Sequence, residues 1–255
     1  SAELNRAVER GELAVHYQPL VDLRSCEVTG LEALVRWQHP ERGLLPPGAF
    51  IALAEETGLI VPIGAQVLEL ACLEAAHRAS AGQPLTVAVN VSGRQLQERG
   101  FVDLVARTLL RTRLRPELLT LEITASVLLH EAGVASVLPE LRGLGVQLAI
   151  DDFGSGWSSL DYLRRFPVDV LKIDRSFVRT IRSERDVHFL KAIVRLADSL
   201  GLDTVAEGIE TDAHRLHATA VRCTLGQGYL FARPVPPEEL DAALEHARAH
   251  ASPAC

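Results

Sequence analysis

The chain has 255 residues, 47% of them hydrophobic and 23% charged, the balance of a protein with a substantial core, long enough for one α/β barrel or two small domains. A formal net charge of −7 argues against a long nucleic-acid groove, and leaves room for a small anionic ligand if metal ions or a few arginines supply positive charge locally. No charge-free apolar run reaches the ~18 residues of a bilayer span, the longest lying at 57–68.

Met is absent throughout, including at the first position, so the segment is expected to be one domain of a longer protein. No basic-then-apolar leader opens it. The first strand candidates, 13–20 and 28–37, flank a polar turn at Arg24-Ser25 and are placed to pair as a hairpin. Cys26 follows that turn; with Cys72, Cys223 and Cys255 it makes four cysteines far apart and without a C-x-x-C pair. That argues against a zinc ribbon or disulfide framework and fits a cytoplasmic setting, even if the full-length protein is membrane-attached. Helical segments are predicted at 47–57 and 62–80, each with Pro near its first turn. From about residue 85 short apolar runs alternate with helical patterns, giving strand candidates at 85–91, 119–124, 146–151, 169–173, 203–206 and 223–231. Phe189, Ile193, Leu196 and Leu200 share one face of a helix that Gly201 is placed to end. With no repeat, linker or low-complexity tract, residues 1–255 read as a single domain. Eight strands with intervening helices predict the α/β class, a (β/α)8 barrel with an irregular start.

The stretch LAIDDFGSGWSSL, residues 148–160, sets Asp151 and Asp152 side by side at the end of an apolar run. An Asp at such a place ordinarily caps the next helix. The same placement recurs, however, on strand after strand: Glu32 in GLEALVRW, Asn90 in VAVNVS, Glu122 in LTLEIT, Lys172 in DVLKID, Glu207 after DTVA. Ionised groups there are costly to bury unless paired or bound to metal. In a barrel these strand ends converge on one face, where five acids and an Asn meet a single Lys. Hard divalent cations with oxygen ligands, Mg²⁺ or Mn²⁺, would neutralise that excess. Adjacent Asp151 and Asp152 are suited to flank two ions about 3.5–4 Å apart.

Other signals carry less. The DFG triplet lacks the Gly-rich loop and H-R-D sequence of a kinase. His214 and His217 lack a third zinc ligand. Trp37 reads as core, whereas Trp157 sits in the Gly-rich loop and suits either packing or stacking. The arginines at 107, 111, 113 and 115 read as a solvated helix end.

Taken together the motifs resemble a known family. Glu32-Ala33-Leu34 within LEALVRWQHPERG resembles the signature of the EAL-domain cyclic-di-GMP phosphodiesterases. HYQPLVDL, AEETGLI, VNVS, LEIT, DDFGSGWSSL, LKIDRSFV, AEGIET and LGQGYLFARP appear in the family's order along almost the whole chain. The resemblance implies a modified TIM barrel with an antiparallel first strand, and hydrolysis of cyclic-di-GMP to linear 5′-pGpG by a two-metal mechanism. It implies one metal held by Glu32, Asn90, Glu122 and Asp151, and a second by Asp151, Asp152 and Glu207. Lys172 matches the lysine that contacts the attacking water, and Arg36 the arginine that holds a substrate phosphate. Gln18, Leu34, Asp174, Glu210 and Gln227 match positions lining the nucleotide site. Mg²⁺ or Mn²⁺ would support turnover, and Ca²⁺, with its looser shell, would inhibit. A homodimer is implied too, with an upstream sensor or GGDEF-type domain feeding into it. The opening SAELNRAVERGEL then reads as the tail of a connecting helix. Two departures stand out: Ala125 replaces the usual Glu after LEIT, associated with holding the loop after the paired aspartates, and Trp157 replaces a Tyr. Ala125 therefore predicts slowed turnover; the alternative is a catalytically weak EAL domain serving as a cyclic-di-GMP receptor.

Overall fold

The computed structural model describes residues 2–130, 134–154, 163, 165–181 and 183–251. A helix, α1 (Ala2–Arg10), leads into two long strands, β1 (Leu13–Asp22) and β2 (Val28–His39). They form the expected hairpin, antiparallel, with Gln18 opposite Glu32 and Ala14 opposite Arg36. Its turn is fixed locally: the Asp22 carboxylate accepts the backbone N–H groups of Arg24 at 2.9 Å and Ser25 at 2.7 Å, an Asx-type closure. A short strand absent from the sequence reading, β3 (Gly43–Leu45), extends β2 outward; three residues carry too little periodicity to be seen.

Six parallel strands complete the wall: β4 (Thr86–Asn90), β5 (Leu119–Thr124), β6 (Gln147–Phe153), β7 (Val170–Ile173), β8 (Asp203–Ala206) and β9 (Leu225–Gly226). Their order is β1-β9-β8-β7-β6-β5-β4-β2, and the β1–β2 pairing closes the ring. β1 runs antiparallel to both neighbours, β2 and β9, as the resemblance implies. Strands such as β7, buried at all four positions, read as continuous apolar runs because helices cover one face and the barrel interior the other.

The helices differ from expectation in instructive ways. The 47–57 segment is a 3₁₀ turn, Pro47–Ala49, then α2 (Ile51–Thr57), broken at Phe50. Phe50 turns inward and packs edge-on against Trp37, ring centroids 5.8 Å apart. The next helix, α3 (Ile60–Ser80), starts before Pro62, whose missing N–H falls in the first turn, where none is needed. By length and composition α3 is apolar enough to cross a membrane, which the charge-free criterion did not register. Here it lays Ile63, Val67, Ala71 and Ala75 against the core. Then come α4 (Gly93–Gln97), α5 (Phe101–Thr112), α6 (Ala125–His130), α7 (Val134–Gly143), α8 (Arg175–Arg179), α9 (Glu184–Ser199), α10 (Asp212–Ala220) and α11 (Leu240–Ala251). On α9 the buried face is Leu190, Ile193, Val194 and Ala197, rotated from the predicted one. Phe189 instead lies outside and stacks on Phe177, centroids 5.6 Å apart. Gly201, at φ +72°, ends that helix as expected.

Candidate metal centre at the barrel mouth

Parallel pairing sets the strand ends level, so register alone gathers the polar residues. Asn90 lies opposite Glu122, and Thr124 opposite Asp151. Glu207 follows β8 and donates its backbone N–H to Ile173. At the centre stands Lys172, 1% exposed. Its Nζ lies 2.8 Å from Glu122 Oε2, 2.9 Å from Glu207 Oε1, 3.3 Å from Asp151 Oδ1 and 3.4 Å from Glu32 Oε2. One ammonium thus faces four carboxylates, with Asp152 beside them.

Asp152 reaches this group through a local irregularity. In a regular strand, neighbours point to opposite faces, and Asp152 would face the helices. The β6–β7 register instead shifts between Ile150 and Phe153, and Asp152 adopts a left-handed φ of +55°. Such a bulge re-aims a side chain, and Asp tolerates this conformation better than most residues. Ligand oxygens of Asp151, Asp152 and Glu207 consequently lie within 4.8 Å of one another. Gly154 then continues at φ +99°; a Cβ there would lie 2.1 Å from the Phe177 ring.

Glu32 is gripped at both oxygens, Oε1 by Asn90 Nδ2 at 2.9 Å and Oε2 by Gln227 Nε2 at 2.6 Å. Gln227 also donates to Gln18 Oε1 at 3.1 Å, and Gln18 donates to the Ala232 carbonyl at 3.0 Å. Burial pushes the Glu32 carboxyl up, but Lys172 and these donors outweigh it and hold it below the usual value. For Glu122, burial and the Glu32 charge win, and its carboxyl rises well above the ordinary range. Burial lifts Glu207 to about 7 against the pull of Lys172; burial, then Asp151 and Asp174, raise Asp152. Burial acts to lower Lys172, yet the surrounding carboxylates hold it well above normal.

One lysine cannot neutralise this group, and protonation is the default remedy in the absence of further positive charge. Asp151 Oδ1 is buried with the Lys172 ammonium 3.3 Å away and, among the described residues, without a hydrogen-bond partner. A buried carboxylate oxygen with spare acceptor capacity, within a compact all-oxygen triad, fits a hard divalent cation.

The chain matches the EAL domain model over residues 1–234. It belongs to the EAL domain family. In Pseudomonas aeruginosa, the bifunctional diguanylate cyclase/cyclic di-GMP phosphodiesterase MucR is 44% identical over 93% of this chain and 35% of its own length. The cyclic di-GMP phosphodiesterase NbdA of the same organism is 44% identical over 98% of this chain and 32% of its own. The chain thus spans about a third of the length of these curated relatives. A solved structure described as the PaMucR phosphodiesterase in complex with c-di-GMP superposes with a TM-score of 0.89 at 43% identity, covering 94% of this chain and 98% of that one.

Within this EAL domain, all six acids and amides read as metal ligands, with Lys172, meet at the mouth. The positions read as nucleotide contacts divide. Gln18 and Gln227 are buried and form the support beneath Glu32. Leu34 lines a cavity of about 380 Å³ that also borders Glu32, Asn90, Ile63 and Val67. Arg36 is half-buried and donates to its neighbour's carbonyl, Val35 O, at 2.9 Å. Asp174 caps α8 through the Ser176 N–H at 3.0 Å. Glu210 is exposed and faces Arg179 at 3.5 Å, apart from the Lys172 group. Residues 155–162, including Trp157, lie outside the described residues. Sequence reasoning passed over Tyr229, in the loop after β9, with the Arg233 guanidinium carbon 4.2 Å from its ring centroid. The available signal was an aromatic two residues beyond Gln227, after the last barrel strand.

Proposed function

We propose that this domain hydrolyses cyclic-di-GMP to linear 5′-pGpG with two divalent cations, Mg²⁺ or Mn²⁺. The observation that carries the reading is the buried carboxylate surplus around Lys172. Glu32, Asn90, Glu122 and Asp151 would hold one ion; Asp151, Asp152 and Glu207 would hold the other. Bound there, the ions supply Lewis-acid activation of water and neutralisation of phosphate charge. The chain supplies the rest. Asn90 and Gln227 fix both oxygens of Glu32 so that it meets its ion without reorganising. Lys172 orients Glu122 and Glu207 and offers an N–H toward the attacking water. Arg36 presents a guanidinium to a non-reacting phosphate.

Incubation with cyclic-di-GMP and Mg²⁺ or Mn²⁺, followed by chromatography, tests this directly. Appearance of pGpG, stopped by EDTA and by Ca²⁺, is expected. Tight binding without product would favour the receptor reading that Ala125 motivates, and neither binding nor product would overturn both. The wider setting proposed is a homodimer packed through barrel helices, in the cytoplasm, within a longer protein carrying a sensor or GGDEF-type domain upstream of α1. Sedimentation giving only monomer at micromolar concentration, with substrate and metal present, would remove the dimer.

A further inference from the structure

At the end of the barrel away from the metal centre, where β8 and β9 begin, a cavity of about 710 Å³ opens between α9 and α10. Its volume is that of a small-molecule site, and none of its lining residues belongs to the mouth. Three cations line it, Lys191 and Arg195 from α9 and Arg222 from just past α10. Asp198 and Asp203 line it as well. Among the described residues, none of these five side chains makes an ion pair or a hydrogen bond. Surface arginines are commonly idle. Here, on a chain of net charge −7, three unpaired cations surround one cavity and outnumber its acids.

Two features of the walls run against folding. Lys191 and Arg195 stand four apart on one helix, so like charges sit side by side. Arg222 follows α10 with a φ of +67°; its N–H donates to Thr219 O and that of Cys223 to Ala218 O, both at 3.0 Å. This helix-ending turn ordinarily takes glycine, because a side chain in the left-handed region is strained. Strain held at a ligand-sized cavity points to function. The floor is fixed. Thr204 Oγ1 accepts the Thr224 N–H at 3.0 Å, and Thr224 Oγ1 accepts the Thr204 N–H at 3.2 Å. Cations on two walls over a rigid floor suit a polyanion, above all the phosphate oxygens that a guanidinium fork matches. Asp198 and Asp203 would repel a bare phosphate, but they accept hydrogen bonds from sugar hydroxyls or base N–H groups. A nucleoside polyphosphate carries both halves of that chemistry.

We propose that this cavity is a second ligand site, for a nucleoside triphosphate, with the phosphates against Lys191, Arg195 and Arg222 and the ribose hydroxyls toward Asp203. The bound nucleotide lies at the start of two strands whose far ends serve the mouth, since Glu207 follows β8 and Gln227 follows β9. Occupancy of the cavity does not depend on the phosphodiesterase reading, and its failure would leave that reading intact.

Titration calorimetry with ATP, GTP and inorganic pyrophosphate tests this in EDTA, where the metal-free mouth is acidic and repels all three. The parent should bind the triphosphates at micromolar concentration, less tightly as salt rises. Lys191→Gln combined with Arg195→Gln should weaken triphosphates and pyrophosphate alike, about tenfold or more, the scale of a lost charge-assisted hydrogen bond. Arg222→Gly should weaken them as much while raising the ligand-free Tm by about 2–4 °C, because glycine relieves the strained turn. That rise separates lost binding from lost folding. Asp203→Ala should weaken ATP and GTP about fivefold, the scale of one ordinary hydrogen bond, and leave pyrophosphate as tight or tighter. No binding by the parent at millimolar triphosphate overturns the site. Binding that survives in both cation variants places the anion elsewhere and overturns it too. Tighter binding of triphosphates and pyrophosphate alike in Asp203→Ala reduces the cavity to an unspecific basic patch and overturns the nucleoside assignment.

Discussion

Among the described residues Arg78, Lys172 and Arg215 are buried, and the first two are treated differently. Arg78, on α3, donates Nε to Glu74 at 2.7 Å and Nη1 to Asp241 at 2.9 Å. Its second partner is 84% exposed, so water absorbs the extra negative charge. Lys172 faces four carboxylates, none more than 19% exposed, so most of the surplus is shielded from solvent, Asp152 beside them being exposed. A structural ion pair tends toward neutrality or sheds its excess into water, because stranded buried charge costs several kcal/mol per ion. The barrel mouth keeps most of its excess buried. Protonation or positive charge from outside relieves that arrangement, and the same residues are poor stabilisers with the oxygen chemistry that suits a hard cation.

The comparison breaks most visibly at Asp152. Asp152→Asn should lower turnover at least about a hundredfold, the scale of removing one electrostatic group from a reacting centre. The metal-free protein should not lose stability, since burial and neighbouring acids already disfavour that carboxylate. Parent-like hydrolysis by the purified variant would end the two-metal assignment.

Paired truncations sharpen the contrast. Lys172→Met and Arg78→Met should each cost about 3 kcal/mol in EDTA, the lower end for breaking a buried pair. Mg²⁺ should return most of the loss to Lys172→Met, whose abandoned carboxylates are the proposed ligands, and nothing extra to Arg78→Met. Only Lys172→Met should lose turnover below its melting temperature. Equal behaviour of the two in melting curves with and without Mg²⁺ would show that the mouth is an ordinary ion pair.

Proton and metal should also compete. Glu207 has a folded pKa raised to about 7 above an ordinary value near 4.3. The folded state therefore binds the extra proton, and its stabilisation is complete below the unfolded value and lost as pH rises through 7. Metal-free protein should grow less stable over that window, while the rise in Tm produced by Mg²⁺ should be larger at pH 8 than at pH 6. A Mg²⁺ effect equal at both values would mean that Glu207 does not bind the ion.

The strand ends were legible because each polar residue interrupts an apolar run, and a parallel barrel converts that pattern into one site. What could not be read is whatever depends on closure. Gln18 and Gln227 are 209 positions apart; nothing in either segment says that they meet beneath Glu32 and serve it. The bulge at Asp152 was equally hidden, since an alternating pattern assigns adjacent residues to opposite faces. Strand β9 shrank from the predicted 223–231 to Leu225–Gly226 because Gly226 and Gly228 let the chain press against Leu23 and Ile209. On α9 periodicity gave the helix but misplaced its face, as Phe189 found an aromatic partner outside the core.

The smallest expected effect concerns Ala125. It follows Thr124, which pairs in register with Asp151, and it is itself buried at the start of α6. The family resemblance implies a glutamate here that holds the chain following the paired aspartates. If that glutamate makes a charge-assisted hydrogen bond, alanine forgoes about 1.5–3 kcal/mol. If all of it appears in the barrier, turnover is slowed roughly 10- to 150-fold, at about 1.4 kcal/mol per decade. Binding should suffer less, because Glu32 and Arg36 stand on β2 and Asn90 on β4, away from Ala125. Ala125→Glu should therefore raise kcat about tenfold or more with little change in KM, the pattern of an interaction made chiefly in the transition state. Rates measured across a substrate series decide it. An unchanged kcat would place the anchor of the post-aspartate segment elsewhere, and Trp157→Tyr would then be the substitution to measure next.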